Sequence, residues 1–347
     1  MPAVHRYNAI IMRVKDRLLG CFERYQGEHL SGERLATQLG VSRAAVWKAI
    51  QELRNDGYEF SAVTNKGYRL DQGKDILTKA GIASYLVDGQ VPDIHFHGEL
   101  ESTNKTAKFL AMDGAPHGTT VIAVRQTGGR GRRGRSFASP DGGIYLSLVL
   151  RPSEISMNMD GALLITSATA VAVSQAISEV CGLEVSIKWV NDLYYTGKKV
   201  CGILLEGVID LESGGLDCIV VGVGINFSTP REEFPEELRS IAGSLFSEST
   251  EIPTGVSRNR LTARMIEKIL SACVGLEERK FLEEYRRRSF LIGQQVMVLA
   301  NDTQSPATVM SIDDDCHLVV RHEDGTVEHI GTGDVSIRFS QAVKDLT

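Results

Sequence analysis

Gly128-Gly129-Arg130-Gly131-Arg132-Arg133-Gly134-Arg135 is the stretch on which the fold assignment turns. It holds a literal G-x-G-x-x-G at Gly129, Gly131 and Gly134. In a dinucleotide-binding fold that pattern opens a helix, and an acidic residue follows about 20 positions on. Here Ser136, Ser139-Pro140 and Gly142-Gly143 come next, a run that does not start a helix. No G-x-x-x-x-G-K-[ST] occurs, so the sequence carries no P-loop. The octet follows an apolar run, Thr120–Val124. Glycine lets backbone N–H groups approach a ligand closely, and guanidinium groups grip phosphate oxygens. Four arginines interleaved with four glycines therefore favour a loop that binds an anion and orders on it. A merely solvated basic loop is the plain alternative.

Around this octet, residues 76–288 mix β-rich runs with longer helical stretches. The runs are Thr120–Val124, Ile144–Leu150, Val185–Trp189, Gly202–Glu206 and Cys218–Gly222; the helical stretches are Asn104–Met112, Gly161–Val180 and Arg258–Arg288. The pattern predicts an α+β domain on one mixed sheet. Residues 289–347 contain only short strands: Val296–Ala300, Ala307–Ile312, Leu318–Arg321, Val327–Ile330 and Val335–Phe339. Asp/Gly turns separate them, and Asp324-Gly325 is a hairpin signal. A small β-barrel is expected there.

Toward the N-terminus, residues 8–25 read as a helix. Ser31 caps a second helix that runs through Gln38 and ends at Gly40. Ser42 caps a third, which stops at Asn55-Asp56-Gly57. Val46, Ile50 and Leu53 form its buried stripe, so Arg43, Ala44, Trp47, Lys48 and Gln51 face away. Phe60–Val63, the turn Asn65-Lys66-Gly67 and Tyr68–Leu70 read as strand, basic turn and strand. Together these make a winged helix-turn-helix over residues 1–72, joined to the rest by a linker at Asp71–Asp75. Ser42, Arg43, Ala44, Trp47, Lys48 and Lys66 are the candidate DNA-binding residues, because Arg and Lys reach guanine edges or phosphates and Ala44 can meet a thymine methyl. A helix-turn-helix used only for protein contacts is the other reading.

Composition agrees with this layout. The 347 residues are 42% hydrophobic and 24% charged, which excludes a disordered or disulfide-scaffold chain and leaves room for two or three domains. The net charge of −6 excludes a general polyanion binder. Residues 1–70 carry 11 Lys/Arg against 7 Asp/Glu, and the remainder 27 against 37, so a basic head sits on an acidic body. Cys21, Cys181, Cys201, Cys218, Cys273 and Cys316 are scattered without a C-x-x-C pair and read as reduced, buried thiols of a cytoplasmic protein. Arg13, Lys15 and Asp16 interrupt the first 20 residues, so no signal peptide is expected. Gly161–Ile177 is too short and polar to span a bilayer and reads as a packed helix, so no membrane partner is expected.

Three further clusters carry chemistry. Lys188-Trp189-Val190-Asn191-Asp192 ends an apolar strand, where a lysine is costly to bury unless it meets an anion; a snorkelling lysine is the alternative. Glu101-Ser102-Thr103-Asn104 starts a helix, and its hydroxyls serve as cap or ligand contact. Gly222-Val223-Gly224-Ile225-Asn226 is a glycine-bearing strand where something approaches the backbone. His95 and His97 share a strand face, but no third ligand accompanies them, so no metal site is expected.

The set Ser102-Thr103-Asn104, Gln126, Gly129 to Arg135, Lys188-Trp189-x-Asn191-Asp192, Gly202-Ile203-Leu204 and Gly224-Ile225-Asn226 resembles the biotin–protein ligases in order and spacing over about residues 76–230. With the winged head and the C-terminal strands, the chain resembles the bifunctional ligase and biotin operon repressor form over nearly its full length. The resemblance implies a multidomain α+β fold: an N-terminal winged helix-turn-helix (1–72), a central mixed β-sheet with helices, class II synthetase-like, as biotin and ATP domain (76–288), and a C-terminal SH3-like β-barrel (289–347). It implies that biotin and Mg-ATP give biotinyl-5′-adenylate, which then acylates one lysine of the biotin carboxyl carrier domain of acetyl-CoA carboxylase.

By that match, Ser102, Thr103, Asn104, Gln126, Arg130, Gly131, Arg132 and Lys188 would contact biotin. Arg130, Arg133, Arg135, Phe137, Asn191 and Asn226 would contact ATP or the adenylate. Lys188 would bridge the biotin carboxylate and the α-phosphate. Arg132 belongs with it among the catalytic residues, and Asp192 would steer or deprotonate the acceptor amine, or else be structural or help hold Mg2+. The expected partners are the carrier protein, operator DNA and a second copy in a homodimer promoted by the adenylate. Two positions depart from the family: Phe137 stands where tryptophan is usual, and Val190 replaces the proline of K-W-P-N-D. A lipoate-type ligase, a ligand-sensing transcription factor without chemistry, and a ligase with a vestigial head are the competing readings. The arginine loop and an intact Lys188 argue against the first two.

Overall fold

The computed structural model describes residues 13–25, 27–64, 66–71, 75–86, 93–155, 161–209, 216–247, 250–300, 303–331 and 335–339. The start of the expected first helix (8–12), Asn65 of the wing turn and the middle of the linker (72–74) lie outside the described residues. Two compact units result, residues 1–91 with 253–263, and 92–252 with 264–347.

The first unit contains α1 (Val14–Arg24), α2 (Gly32–Leu39) and α3 (Arg43–Asn55), then β1 (Phe60–Val63), β2 (Gly67–Leu70) and α4 (Lys79–Tyr85). The caps form as the sequence predicts. Ser31 Oγ accepts from Arg34 N–H, Ser42 Oγ accepts from Ala45 N–H, and Gly40 closes α2 at φ 66°. Val46, Ile50 and Leu53 are buried with Leu18, Phe22 and Leu35. β1 and β2 pair antiparallel with Phe60 opposite Leu70. The wing is sewn to the helices by Leu30 N–H to Tyr68 O (2.7 Å) and Tyr68 N–H to Leu30 O (2.9 Å). Gly67 sits at φ +100°, and a Cβ there would lie 2.2 Å from Leu30 O, so no other residue fits. The sequence reading had no helix at α4, whose cap is Thr78.

The second unit is built on a seven-stranded mixed sheet. Its strands and helices are β3 (Ile94–Leu100), α5 (Thr103–Met112), β4 (Thr120–Gln126), β5 (Gly143–Leu150), α6 (Pro152–Ile155), α7 (Ala162–Cys181), β6 (Ser186–Lys188), β7 (Asp192–Tyr195), β8 (Lys198–Ile209) and β9 (Leu216–Asn226). The order is β3-β4-β5-β9-β8-β7-β6. Only β3 and β4 run parallel, joined by α5; the other pairs are antiparallel. Every residue of β5 is buried, which explains its unbroken apolar run. Among the described residues α7 is the one helix long and apolar enough to cross a membrane by length and composition, and most of it is buried inside the protein. All six cysteines are buried thiols.

One expected helix is two. Arg258–Arg288 divides into α8 (Arg258–Val274) and α9 (Leu282–Arg288). Gly275 ends the first, and Arg279 takes a left-handed conformation (φ 52°) before the second. The C-terminal strands β10 (Gln295–Ala300), β11 (Thr303–Ile312), β12 (Leu318–His322), β13 (Val327–Ile330) and β14 (Val335–Phe339) form one antiparallel sheet in the order β13-β12-β11-β10-β14. The Asp324-Gly325 turn joins β12 and β13, with Thr326 N–H bonded to Asp324 Oδ1.

Arg151, just past β5, braces the end of α5. It donates to Asp217 (2.9 Å), Ala111 O and Ala115 O, while its own N–H is accepted by His117 Nδ1 (3.2 Å). Burial holds the His117 pKa below the usual histidine value, although Glu154 opposes the shift. The ring therefore takes a proton more readily in the unfolded chain. Stability should fall as pH drops below about 6.5. A His117→Asn protein should lose that acid sensitivity in thermal melts between pH 7 and 5, while other acid-labile groups keep theirs.

Candidate active site

Beyond β4 the arginine octet folds into a hairpin closed by its own backbone. Gly131 N–H donates to Arg135 O (2.7 Å), Arg135 N–H to Arg132 O (3.2 Å) and Phe137 N–H to Gly129 O (2.9 Å). Arg133 and Gly134 both take left-handed conformations at its tip. The hairpin covers a cleft over the middle of the sheet. Lining that cleft are Ser102, Thr103, Asn104, Gln126, Arg130, Gly131, Arg132, Arg133, Arg135, Phe137, Lys188, Asn191 and Asp192. Residues predicted from four separate segments thus meet at one place.

Glycines make the floor flat. Gly202 and Gly224 are direct partners across β8 and β9. A Cβ on Gly202 would lie 2.9 Å from the Phe137 ring, and one on Gly224 would lie 2.5 Å from it. The phenyl ring therefore lies on bare backbone, with Tyr145 edge-on at 6.5 Å.

A polar end lies near the start of α5. Ser102 caps the helix, and Thr103 N–H donates to Gln126 Oε1 (2.8 Å). Gln126 Nε2 in turn donates to Ser139 Oγ (2.8 Å). The cationic end gathers Arg132, Lys188 and Lys199. Arg132 Nη1 reaches Asn191 Oδ1 at 3.4 Å, and Asn191 Nδ2 donates to Ile203 O (2.7 Å). Burial, then the neighbouring Arg133, pulls the Arg132 pKa below the usual arginine value. Lys188 Nζ lies 5.9 Å above the Tyr194 ring.

Lys199 is the residue the sequence reading missed. Its Nζ pairs with Asp192 Oδ1 at 2.6 Å, lies 6.0 Å over Phe137, and its stem crosses Gly202. The signal is akin to the one used for Lys188, a lysine at one end of an apolar strand, here at its start after the Thr196-Gly197 turn. Asn226 is placed differently from the expectation. It is buried at the end of β9, outside the cleft lining, and its Nδ2 donates to Gly243 O (3.0 Å). That bond ties the end of β9 to the loop at Gly243.

The K-W-V-N-D turn is held from behind. Trp189 Nε1 donates to Cys316 O (2.8 Å), between β11 and β12, and Tyr285 of α9 donates to Val190 O (3.0 Å). The Trp189–Val190 peptide is cis. His95 pairs with Asp93 at 2.9 Å. On α3, Arg43, Ala44 and Lys48 are exposed beside Trp47, which is 57% exposed; Lys66 is exposed in the wing.

Comparison with known proteins gives a consistent picture. The profile of the biotin/lipoate A/B protein ligase family matches residues 99–226, an HTH domain matches 16–69, and the biotin protein ligase C-terminal domain matches 291–338. The chain is 43% identical over 232 residues to the bifunctional ligase/repressor BirA of Bacillus subtilis, covering 66% of this chain and 69% of that protein. It is 29% identical over 319 residues to BirA of Escherichia coli, covering 91% and 95%. Among solved structures, the biotin protein ligase from Aquifex aeolicus in complex with biotin and ATP superposes with a TM-score of 0.60 at 28% identity, covering 72% of this chain and 99% of that one.

Proposed function

The chain belongs to the family of bifunctional biotin–protein ligases and repressors, and from that premise we propose how its own residues carry out the reaction. It is an ATP-dependent biotin–protein ligase that also binds DNA as a repressor. The observation that carries the site assignment is the cleft itself, with a polar end at the Ser102 and Thr103 hydroxyls and the Gln126 amide and a cationic end at Arg132, Lys188 and Lys199.

A carboxylate is already ionised at pH 7, so the first step needs no base. Its oxygen attacks the α-phosphorus of ATP, an acyl-phosphate bond forms, and pyrophosphate leaves. Two anions must be held together while negative charge builds. Lys188 and Lys199 bring the carboxylate and α-phosphate together, and Asp192 fixes Lys199 in place. Phe137 offers an aromatic face for adenine. Arg130, Arg132, Arg133 and Arg135 hold the phosphates and keep water from the mixed anhydride. In the second step an acceptor lysine amine attacks the biotinyl carbonyl, an amide forms and AMP departs, with a proton lost from the amine. Asp192, already paired with Lys199, steers that amine by charge. Mg2+ would be held in the lining by Asp192, through the oxygen not paired with Lys199, and would help neutralise the phosphate charge.

The acceptor is the biotin carboxyl carrier domain of a carboxylase, and the DNA is an operator of biotin genes, bound as a homodimer promoted by the adenylate. The alternate burial of Val296 and Val298 on β10 and of Ala307 and Val309 on β11 supports closure of the C-terminal sheet into an SH3-like barrel. Buried thiols support a reducing cytoplasm. The domain limits 1–72, 76–288 and 289–347 stand as part of this reading.

Purified protein, biotin, Mg-ATP and a carrier domain, followed by intact mass of the carrier, test the ligase. A single biotinyl adduct is the expected product, and an unmodified carrier would refute the assignment. For the head, Lys48→Ala should weaken operator binding and lower the slope of affinity against salt by about one, while carrier labelling stays at the parent rate. Fluorescence anisotropy over a salt series reads this.

A further inference from the structure

Lys188 and Asp192 are direct partners across β6 and β7, and Trp189, Val190 and Asn191 form the tip of that hairpin. Asn191 is tied to the sheet, its Nδ2 donating to Ile203 O (2.7 Å). The other two tip residues are tied to groups outside the sheet. Tyr285 of α9 donates to Val190 O (3.0 Å), and the buried Trp189 donates through Nε1 to Cys316 O (2.8 Å). That last acceptor belongs to the turn between β11 and β12.

The turn is built around one carboxylate. Asp313 Oδ1 accepts from the backbone N–H groups of Asp315 (3.0 Å) and His317 (2.9 Å). Asp313 Oδ2 lies 3.1 Å from His317 Nδ1 and 2.8 Å from His329 Nδ1. Burial pushes the Asp313 pKa up, but the bonds from His329 and His317 outweigh it and hold the group below the usual carboxylate range. An ionised carboxylate only accepts, so both rings carry their hydrogen on Nδ1. Two backbone bonds complete the turn, Cys316 N–H to Asp313 O (3.1 Å) and Asp313 N–H to His317 O (3.0 Å).

Cys316 stands at φ 64°, in the left-handed region. Short hairpin turns usually place glycine there, and a residue with a Cβ keeps such a conformation only when its surroundings impose it. The same conformation aims the Cys316 carbonyl at the Trp189 indole. Without the Asp313 side chain, the N–H groups of Asp315 and His317 lose their acceptor. Cys316 is then free to relax to negative φ, which swings its carbonyl away and leaves a buried indole N–H without a partner.

We propose that Asp313, outside the cleft lining, is a positioning residue for the ligase reaction: by building the turn that aims Cys316 O at Trp189, it holds Lys188 and Asp192 in place for the bound anions. This rests on the ligase reading above.

Pyrophosphate release by the full chain, at saturating Mg-ATP with biotin varied, tests this on Asp313→Ala, Asp313→Asn, Trp189→Phe and the Asp313→Ala/Trp189→Phe double variant, each with a melting curve. Asp313→Ala and Trp189→Phe should each lower kcat/KM for biotin about tenfold. The double variant should be no worse than the poorer single one, because both changes remove the same tether. Asparagine keeps an oxygen for the two backbone N–H groups and turns its NH2 to the imidazoles, which accept on Nδ1 once their proton moves to Nε2. Asp313→Asn should therefore stay within about twofold of the parent. An Asp313→Ala protein with the parent kcat/KM overturns the proposal, and so does an Asp313→Asn protein as poor as Asp313→Ala. A double variant whose loss is the product of the single losses overturns it too, since that is what a merely structural turn would give. If Asp313→Ala does not fold, Trp189→Phe decides: a tenfold loss with a parent-like melting transition supports the tether, and a parent kcat/KM overturns it. A parent protein that releases no pyrophosphate with biotin overturns the ligase reading itself, and this proposal with it.

Discussion

The Lys199→Ala protein is expected to release pyrophosphate from ATP and biotin about 10²–10³-fold more slowly than the parent, while its biotin Kd changes little. The cleft floor gives the reason. Lys199 crosses Gly202 beside Phe137 and is held at 2.6 Å by Asp192. That places a fixed ammonium over the aromatic face assigned to adenine, where phosphate charge would develop. A charge already in position costs no reorganisation when the reaction occurs, so its removal is felt in kcat more than in binding. Lys188, over the Tyr194 ring, sits on the neighbouring strand pair. Lys188→Ala should raise the KM for biotin, with the smaller loss of kcat. Pyrophosphate release measured on both variants separates the two lysines. A larger kcat loss for Lys188→Ala would exchange their roles.

Arg132→Met is expected to lower adenylate formation about 100-fold and, unusually, to leave the ligand-free protein as stable as the parent or more so. Arg132 is half-buried, with Arg133 near it, and both burial and that neighbour disfavour its charge. An anion would relieve the cost, so the arginine destabilises the empty cleft and favours the filled one. Replacing a buried charged group with an apolar side chain of similar length is often neutral or stabilising. The check is a pair of melting curves. Without ligands, the variant should melt at or above the parent temperature. With biotin and Mg-ATP, the parent should gain far more, because stabilisation follows ligand affinity. A variant that melts lower when empty would show that Arg132 is structural.

The winged head could be read nearly whole because its signals are local. Ser31 and Ser42 cap, Gly40 terminates, and Val46, Ile50 and Leu53 recur at helical spacing, so each element is specified by residues a few positions apart. The division of Arg258–Arg288 into α8 and α9 was not legible, because a lone Gly275 is tolerated in a helix and only packing decides whether the chain stops there. Lys199 was missed although it carries a local signal akin to that of Lys188. A lysine at a strand end becomes informative only when its carboxylate partner and the surface beneath it are known.

By itself the sequence determined which chemical groups the cleft holds. The arginine octet, Lys188, Asn191, Asp192 and the Ser102–Asn104 segment are fixed by residue type and order, and their charges and hydroxyls are properties of the side chains. The tertiary structure alone decided how those groups are paired and turned. Asn226 lies outside the cleft lining, at the end of β9, where its amide donates to Gly243 O. Lys199 entered the lining because β7 and β8 pair so that Asp192 lies opposite Gly202. The Thr103 hydroxyl and N–H both donate to Gln126 Oε1, 23 positions away, because β4 brings that amide against the start of α5. Pairing across strands and the sense of a buried bond are set by distances between segments remote in sequence, and no local pattern of residues encodes them.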